Sequence, residues 1–202
     1  MGIFCGKGET MTYTIENEKF SVSIDSKGAE LCSMRSKKTG IEYVWQADPH
    51  VWARHAPVLF PIVGRLKDKT YTVGGKEYHI TQHGFGRDLE FACTEQTDTT
   101  LAFTLMPNEY SKPMYPFDFA FTVRYVLDGN TLQKQHITVN HGDTEMYYEV
   151  GGHDAYNVAL EPNETMEDYY VDFGSGDAIY PLINDKNLMI TKDKRTVPLQ
   201  DG

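Results

Sequence analysis

The feature that most constrains this chain is a two-residue alternation of apolar and polar side chains that recurs along its length. Phe20, Val22 and Ile24 alternate with polar neighbours, as do Leu101, Phe103 and Leu105, and then Phe119, Phe121, Val123, Tyr125 and Leu127. A period of two buries one face of a strand and wets the other, whereas a helix would scatter the same residues around its axis. The 13 Tyr and 10 Phe point the same way, because aromatic rings fit a pleated surface. Turn pairs separate the runs: Gly74-Gly75 after TYTV, and Asp128-Gly129 ahead of the Leu132–Asn140 run. Both suit tight hairpins that need positive φ. No stretch carries a sustained apolar stripe of helical period. The pattern predicts an all-β, antiparallel fold, a large β-sandwich.

Two stretches break the alternation. Trp45–Gly64 holds both tryptophans and three prolines, and Asn108–Phe117 holds two more prolines. The first reads as an aromatic-rich excursion and the second as a loop. Past Glu161 the chain turns acidic, with Tyr169–Phe173 and Leu188–Thr191 as further strand-like pieces and a final QDG that reads as a turn without a closing strand. Residues 1–10 are taken as an extension, with Met11 a candidate natural start, and residues 11–202 as a single domain.

Composition excludes several classes. The formal charge of −10, from 19 basic and 29 acidic residues, argues against nucleic acid as a partner. No apolar run is long enough to span a bilayer, and the opening residues lack the form of a signal peptide. Three cysteines without CxxC spacing indicate neither a disulfide framework nor a zinc site, so a reducing, cytoplasmic compartment is expected. The histidines show no HxH pair with a nearby carboxylate, and no metal or organic cofactor is expected.

Chemistry concentrates in two short segments, Gln82–Asp88 (QHGFGRD) and Gly151–Asn157 (GGHDAYN). Each sets an imidazole beside glycine and an aromatic ring. His83 is a candidate ligand-facing residue; the competing reading is a packing histidine satisfied by a carbonyl. His153 is the stronger candidate, since Gly151-Gly152 allow unusual backbone geometry while Tyr156 and Asn157 add a stacking face and an amide. Arg65 closes an apolar run and must reach water, a carboxylate or a ligand. Arg87 and Asp88 form either a surface ion pair or part of a site. This mixture suits a sugar, whose C–H faces stack on aromatics and whose hydroxyls meet His, Arg and Asn. His50, His55 and His79 read as surface or packing residues, and Glu161 as a solvated loop carboxylate.

Taken in order, Trp52–Arg65 (WARHAPVLFPIVGR), Gln82–Asp88 and Gly151–Asn157 resemble the aldose 1-epimerase (galactose mutarotase-like) family, in its LacX-like branch. The resemblance runs from Met11 to Gly202. It implies a β-supersandwich with a sugar cleft on one sheet face, in which His153 is the general acid and His83 hydrogen-bonds the ring or C1 oxygen. It implies that Arg65 binds hydroxyls. In related hexose-6-phosphate epimerases the arginine matching Arg87 helps hold a phosphate, a role that a basic neighbour such as Lys67 would support. The usual GGHPAF reads GGHDAY here, with Asp154 for proline and Tyr156 for phenylalanine. The family's general-base glutamate lies in a later Glu-Pro-Trp-like motif, expected to be absent from this chain, which would leave the sandwich incomplete at its C-terminal end. An unpaired sheet edge would then favour a homo-oligomer. The expected activity is interconversion of the α and β anomers of a free aldohexose. The alternatives are a non-catalytic carbohydrate-binding protein and a hexose-6-phosphate 1-epimerase.

Overall fold

The computed structural model describes residues 10–171. Among them there is no α-helix, only strands and three short 3-10 turns. Strands β1 (Thr12–Glu16), β2 (Phe20–Asp25) and β3 (Glu30–Ser36) form an antiparallel sheet in that order. A second antiparallel sheet has the order β10-β9-β8-β7, from β7 (Ala92–Gln96), β8 (Thr100–Leu105), β9 (Phe119–Asp128) and β10 (Thr131–Asn140). Between them in the chain lie β4 (Val58–Leu59) and the hairpin of β5 (Thr70–Val73) and β6 (Lys76–His79). A late strand, β11 (Gly151–Gly152), returns to pair with β4.

The alternation becomes the core. Along β9 buried and half-buried residues alternate strictly, with Phe119, Phe121, Val123 and Tyr125 fully covered. Each such side chain contributes about 1.5–3 kcal/mol by leaving water. Ile15, Val22, Ile24 and Leu31 of the first sheet join Leu101, Phe103 and the β9 residues in one cluster. Contacts between the sheets lock the pairing: Tyr13 meets Phe103 edge-on at 5.3 Å, and the Tyr125 hydroxyl donates to the Ala29 carbonyl at 2.8 Å. That bond satisfies the one polar atom of a fully buried ring.

The β5–β6 hairpin turns at Gly74 and Gly75, at φ 56° and 78°, as two consecutive positive φ values require. The β9–β10 turn lies one residue later than the Asp128-Gly129 expectation. Thr131 pairs with Asp128, so Gly129-Asn130 are the central residues, and Gly129 alone has positive φ (54°). Glycine first is the signature of the II′ turn. Tyr169–Val171 forms no strand, contrary to the sequence expectation, with Tyr170 84% exposed; Phe173, Leu188–Thr191 and the final QDG lie outside the described residues.

The Trp45–Gly64 excursion enters the core. Val58, Leu59 and Phe60 are all buried, and Phe60 stacks on Phe121 at 4.2 Å with 6° between planes. The Asn108–Phe117 loop contributes Tyr115, whose ring packs against Phe60 at 6.0 Å. Phe60 therefore ties the excursion to the large sheet.

Candidate functional site

β4 and the residue after it position both histidine segments. On one side Gly151 and Gly152 pair with Leu59 and Val58, and the His153 amide continues the ladder by donating to the Pro57 carbonyl at 3.0 Å. On the other, Phe60 bridges Gly84, and its carbonyl accepts from the amides of Phe85 and Gly86. Gly84 has φ 68°, and a Cβ there would collide with that carbonyl, so the approach requires glycine. His83 is itself at φ 65°. One two-residue strand thus brings together histidines 70 positions apart in sequence (153 − 83).

The two imidazoles lie 6.3 Å apart, near perpendicular at 75°. The His153 ring is exposed and rests against Trp52 at 4.9 Å. His83 is fixed more tightly. Its amide donates to the Gly64 carbonyl at 2.8 Å, and its Nδ1 accepts from the Gly64 amide at 3.0 Å. A neutral ring held through Nδ1 carries its proton on Nε2. Burial, then the positive charges of Arg87, His153, Arg54 and Arg65, push the His83 pKa below the usual imidazole value. A neutral ring is therefore favoured near pH 7.

The Gln82 side chain spans the gap between Arg65 and His83. Its Oε1 accepts from Arg65 Nη2 at 2.9 Å, while its Nε2 lies 3.1 Å from His83 Nε2. The Gln82 side chain thus links the Arg65 guanidinium to the outer edge of the His83 ring.

Arg87 lies behind His83, with Nη2 donating to the Gln82 carbonyl at 3.1 Å. Its Nε is buried, without a hydrogen-bond partner, 3.7 Å from Asp88 Oδ2. Asp88 accepts at Oδ1 from Arg54 Nη2 at 2.7 Å. Together with Trp52 and His55 these groups line a cavity of about 580 Å³. Lys67 is exposed on a 3-10 turn and does not line that cavity.

The other expected residues divide. Tyr156 bridges Val44 and is 58% exposed, but it is Trp52 whose ring lies against His153. The Asn157 amide is already engaged: its Nδ2 donates to the carbonyls of Glu42 and Val44, both at 2.9 Å. Asn157 thereby ties the segment after His153 to the chain around Tyr43. Asp154, in the place of the usual proline, accepts from Lys134 Nζ at 2.7 Å and anchors the loop. Glu161 is exposed. Trp52, Gln82 and Arg54 were not singled out as site residues from sequence, since a tryptophan in an excursion and a glutamine before a histidine carry no spacing signal. Among the described residues no group of three or more His, Cys, Asp or Glu side chains could hold a metal ion, and no helix is long and apolar enough to cross a membrane.

The all-β fold, with two imidazoles, an indole and arginines brought together, is of the galactose mutarotase-like kind seen in its structural relatives. Comparison with known proteins agrees. A family model described as aldose 1-epimerase matches residues 11–195, and the chain belongs to that family. It is 35% identical over 170 residues to the plasmid and chromosomal LacX proteins of Lactococcus lactis subsp. lactis, covering 81% of this chain and 56% of each relative. Among solved structures it is similar to a galactose mutarotase related enzyme from Lactobacillus acidophilus, with TM-score 0.76 and 46% identity over 78% of this chain and 53% of that one. A galactose mutarotase-like protein from Lactobacillus casei gives TM-score 0.72 and 37% identity over 75% and 52%. The chain spans about half the length of these relatives.

Proposed function

We propose that this protein binds a neutral aldohexose across Trp52, His83, His153 and Arg65 and interconverts its α and β anomers. The observation that carries the reading is the imidazole pair, 6.3 Å between centroids, with one ring on an indole and the other held by Gly64 and Gln82. In this reaction a base takes the C1 hydroxyl proton, an acid protonates the ring oxygen, and the C1–ring oxygen bond breaks to give the aldehyde. The aldehyde then recloses on either face. His153, exposed on the cleft, is the general acid. His83 donates from Nε2 to the ring or C1 oxygen, Arg65 and Arg87 donate to hydroxyls, and Tyr156 offers a stacking face. Asn157 supports the loop.

The base in this reading comes from outside the described residues. Among them no carboxylate is hydrogen-bonded or ion-paired to either ring, and Asp154 is held by Lys134. That same observation favours a second reading, a protein that binds sugars without turning them over. Polarimetry on freshly dissolved α-glucose, with galactose and glucose titrations alongside, separates the two. Turnover abolished by His153→Ala and insensitive to Glu161→Ala supports the epimerase; binding without turnover supports the second. Absence of any sugar binding sinks both.

The same proposal places the protein in the cytoplasm, in carbohydrate metabolism. Among the described residues Cys32 and Cys93 are free thiols, which suits a reducing compartment, and burial and Asp25 push the Cys32 thiol up to about 12. Among the described residues strand β10 ends its sheet, with Ile137 and Val139 each 43% exposed, and in this reading it offers an edge for a homo-oligomer.

A further inference from the structure

The cavity that shares Trp52 with the His153 ring is charge-balanced in a way that the epimerase chemistry does not require. Among the described residues its lining carries three cations, Lys27, Arg54 and Arg87, and three carboxylates, Asp25, Glu30 and Asp88. Counting His55 as neutral, its formal charge is zero (3 − 3). At its inner end two guanidinium groups converge on one carboxylate: Arg54 Nη2 is 2.7 Å from Asp88 Oδ1, and Arg87 Nε is 3.7 Å from Asp88 Oδ2. Two arginines that meet beside a sugar site are the usual means of holding a phosphate, because each can present paired N–H donors to anionic oxygens. Here the anion between them is already present, and it belongs to the protein.

Resting on the sugar-binding reading above, we infer that Asp88 sets the substrate class of the site, acting as a built-in counter-anion that admits neutral sugars and turns away phosphorylated ones. A phosphate monoester carries about −1.5 to −2 charge at neutral pH. In this cavity it meets no net positive charge and repels the Asp88 carboxylate, which must be displaced or desolvated against it. A neutral hydroxyl meets no such opposition. The 3.7 Å separation of Arg87 Nε from Asp88 Oδ2 is too long for a hydrogen bond, and the Nε–H itself is buried. Asp88 thus balances the charge of Arg87 without using that donor. The position allows this because Asp88 closes the 3-10 turn Gly86–Asp88 that follows the histidine, with its side chain 46% exposed towards the cavity.

The test is calorimetric titration of the 202-residue chain and of Asp88→Asn with glucose, glucose 6-phosphate and inorganic phosphate. The expected result is a rise on the order of tenfold or more in the affinity ratio of glucose 6-phosphate to glucose. Affinity for inorganic phosphate should rise in parallel, and the gain should vanish in Asp88→Asn/Arg87→Gln. Asp88→Ser serves as the second variant should Asp88→Asn lose its far-UV circular dichroism. An unchanged ratio, a gain that survives loss of Arg87, or a wild-type chain that already prefers glucose 6-phosphate would overturn the inference. If neither sugar binds any variant while Asp88→Asn gains inorganic phosphate, the sugar reading fails and the role of Asp88 stands.

Discussion

Phe121, Val123 and Tyr125 in the sandwich and His83 and His153 on the shelf above it reach their positions by different physical routes. The first three are fully buried and held by the side chains around them, on a backbone of regular strand. The histidines are held by the backbone: His83 by positive φ and two bonds to Gly64, His153 by the β11–β4 ladder and its bond to the Pro57 carbonyl. The His153 ring is exposed, the His83 ring is half-buried, and Arg87 Nε beside them lacks a hydrogen-bond partner. A core residue is therefore changed at the expense of stability, and a shelf residue at the expense of binding. The point where the two regions meet is Phe60, whose ring belongs to the core and whose carbonyl holds Phe85 and Gly86.

That junction is where the distinction should break down. Phe60→Ala is expected to cost about 3–5 kcal/mol in chemical denaturation, as a large buried ring is lost. It should also weaken sugar binding, because the support under the His83 segment loosens. Retention of full binding at a lowered denaturation midpoint would show that the shelf stands independently of the core.

The shelf proper should behave in the opposite way. His153→Ala is expected to reduce any epimerase turnover by about 10²–10⁴. Its denaturation free energy should stay within about 0.5 kcal/mol of the parent, since the ring is exposed. A large loss of stability would mean that the imidazole is a structural element.

Asn157 sharpens the boundary. Its two bonds to the Glu42 and Val44 carbonyls predict that Asn157→Ala costs about 1–3 kcal/mol of stability. Sugar affinity, read by calorimetry, should change less than it does in His153→Ala. The reverse ordering would return Asn157 to the ligand.

These cases show what the sequence made legible. Alternation along β9 specified which residues face inward, and glycine pairs marked the hairpins, because both are local consequences of strand geometry. The ordered histidine and arginine segments identified the shelf. The partners of those residues were not legible. Trp52 reaches His153, and Arg54 reaches Asp88, through contacts spanning 101 and 34 positions (153 − 52 and 88 − 54), which no local period encodes. The bonds of Asn157 to residues more than 110 positions earlier likewise leave no trace in the surrounding sequence.

The smallest expected effect concerns pH. His83 and His136 are both held below the usual imidazole value, each chiefly by burial. The unfolded chain therefore takes up protons that the folded chain refuses once pH falls below about 6.5. Stability should be complete above that pH and decline as pH drops from there towards the folded midpoints. Denaturation midpoints at about pH 7.5 and about pH 5.5 check this, with a shallower decline in His136→Gln. A midpoint that rises on acidification would contradict the assignment of half-buried, neutral imidazoles.

The central claim is that His83 and His153 serve one sugar site, and imidazole resonances followed by NMR during glucose titration test it most directly. The expected result is that both rings shift together along one binding curve while the exposed His79 stays still. Two separate curves, or a shift at His153 with none at His83, would contradict it.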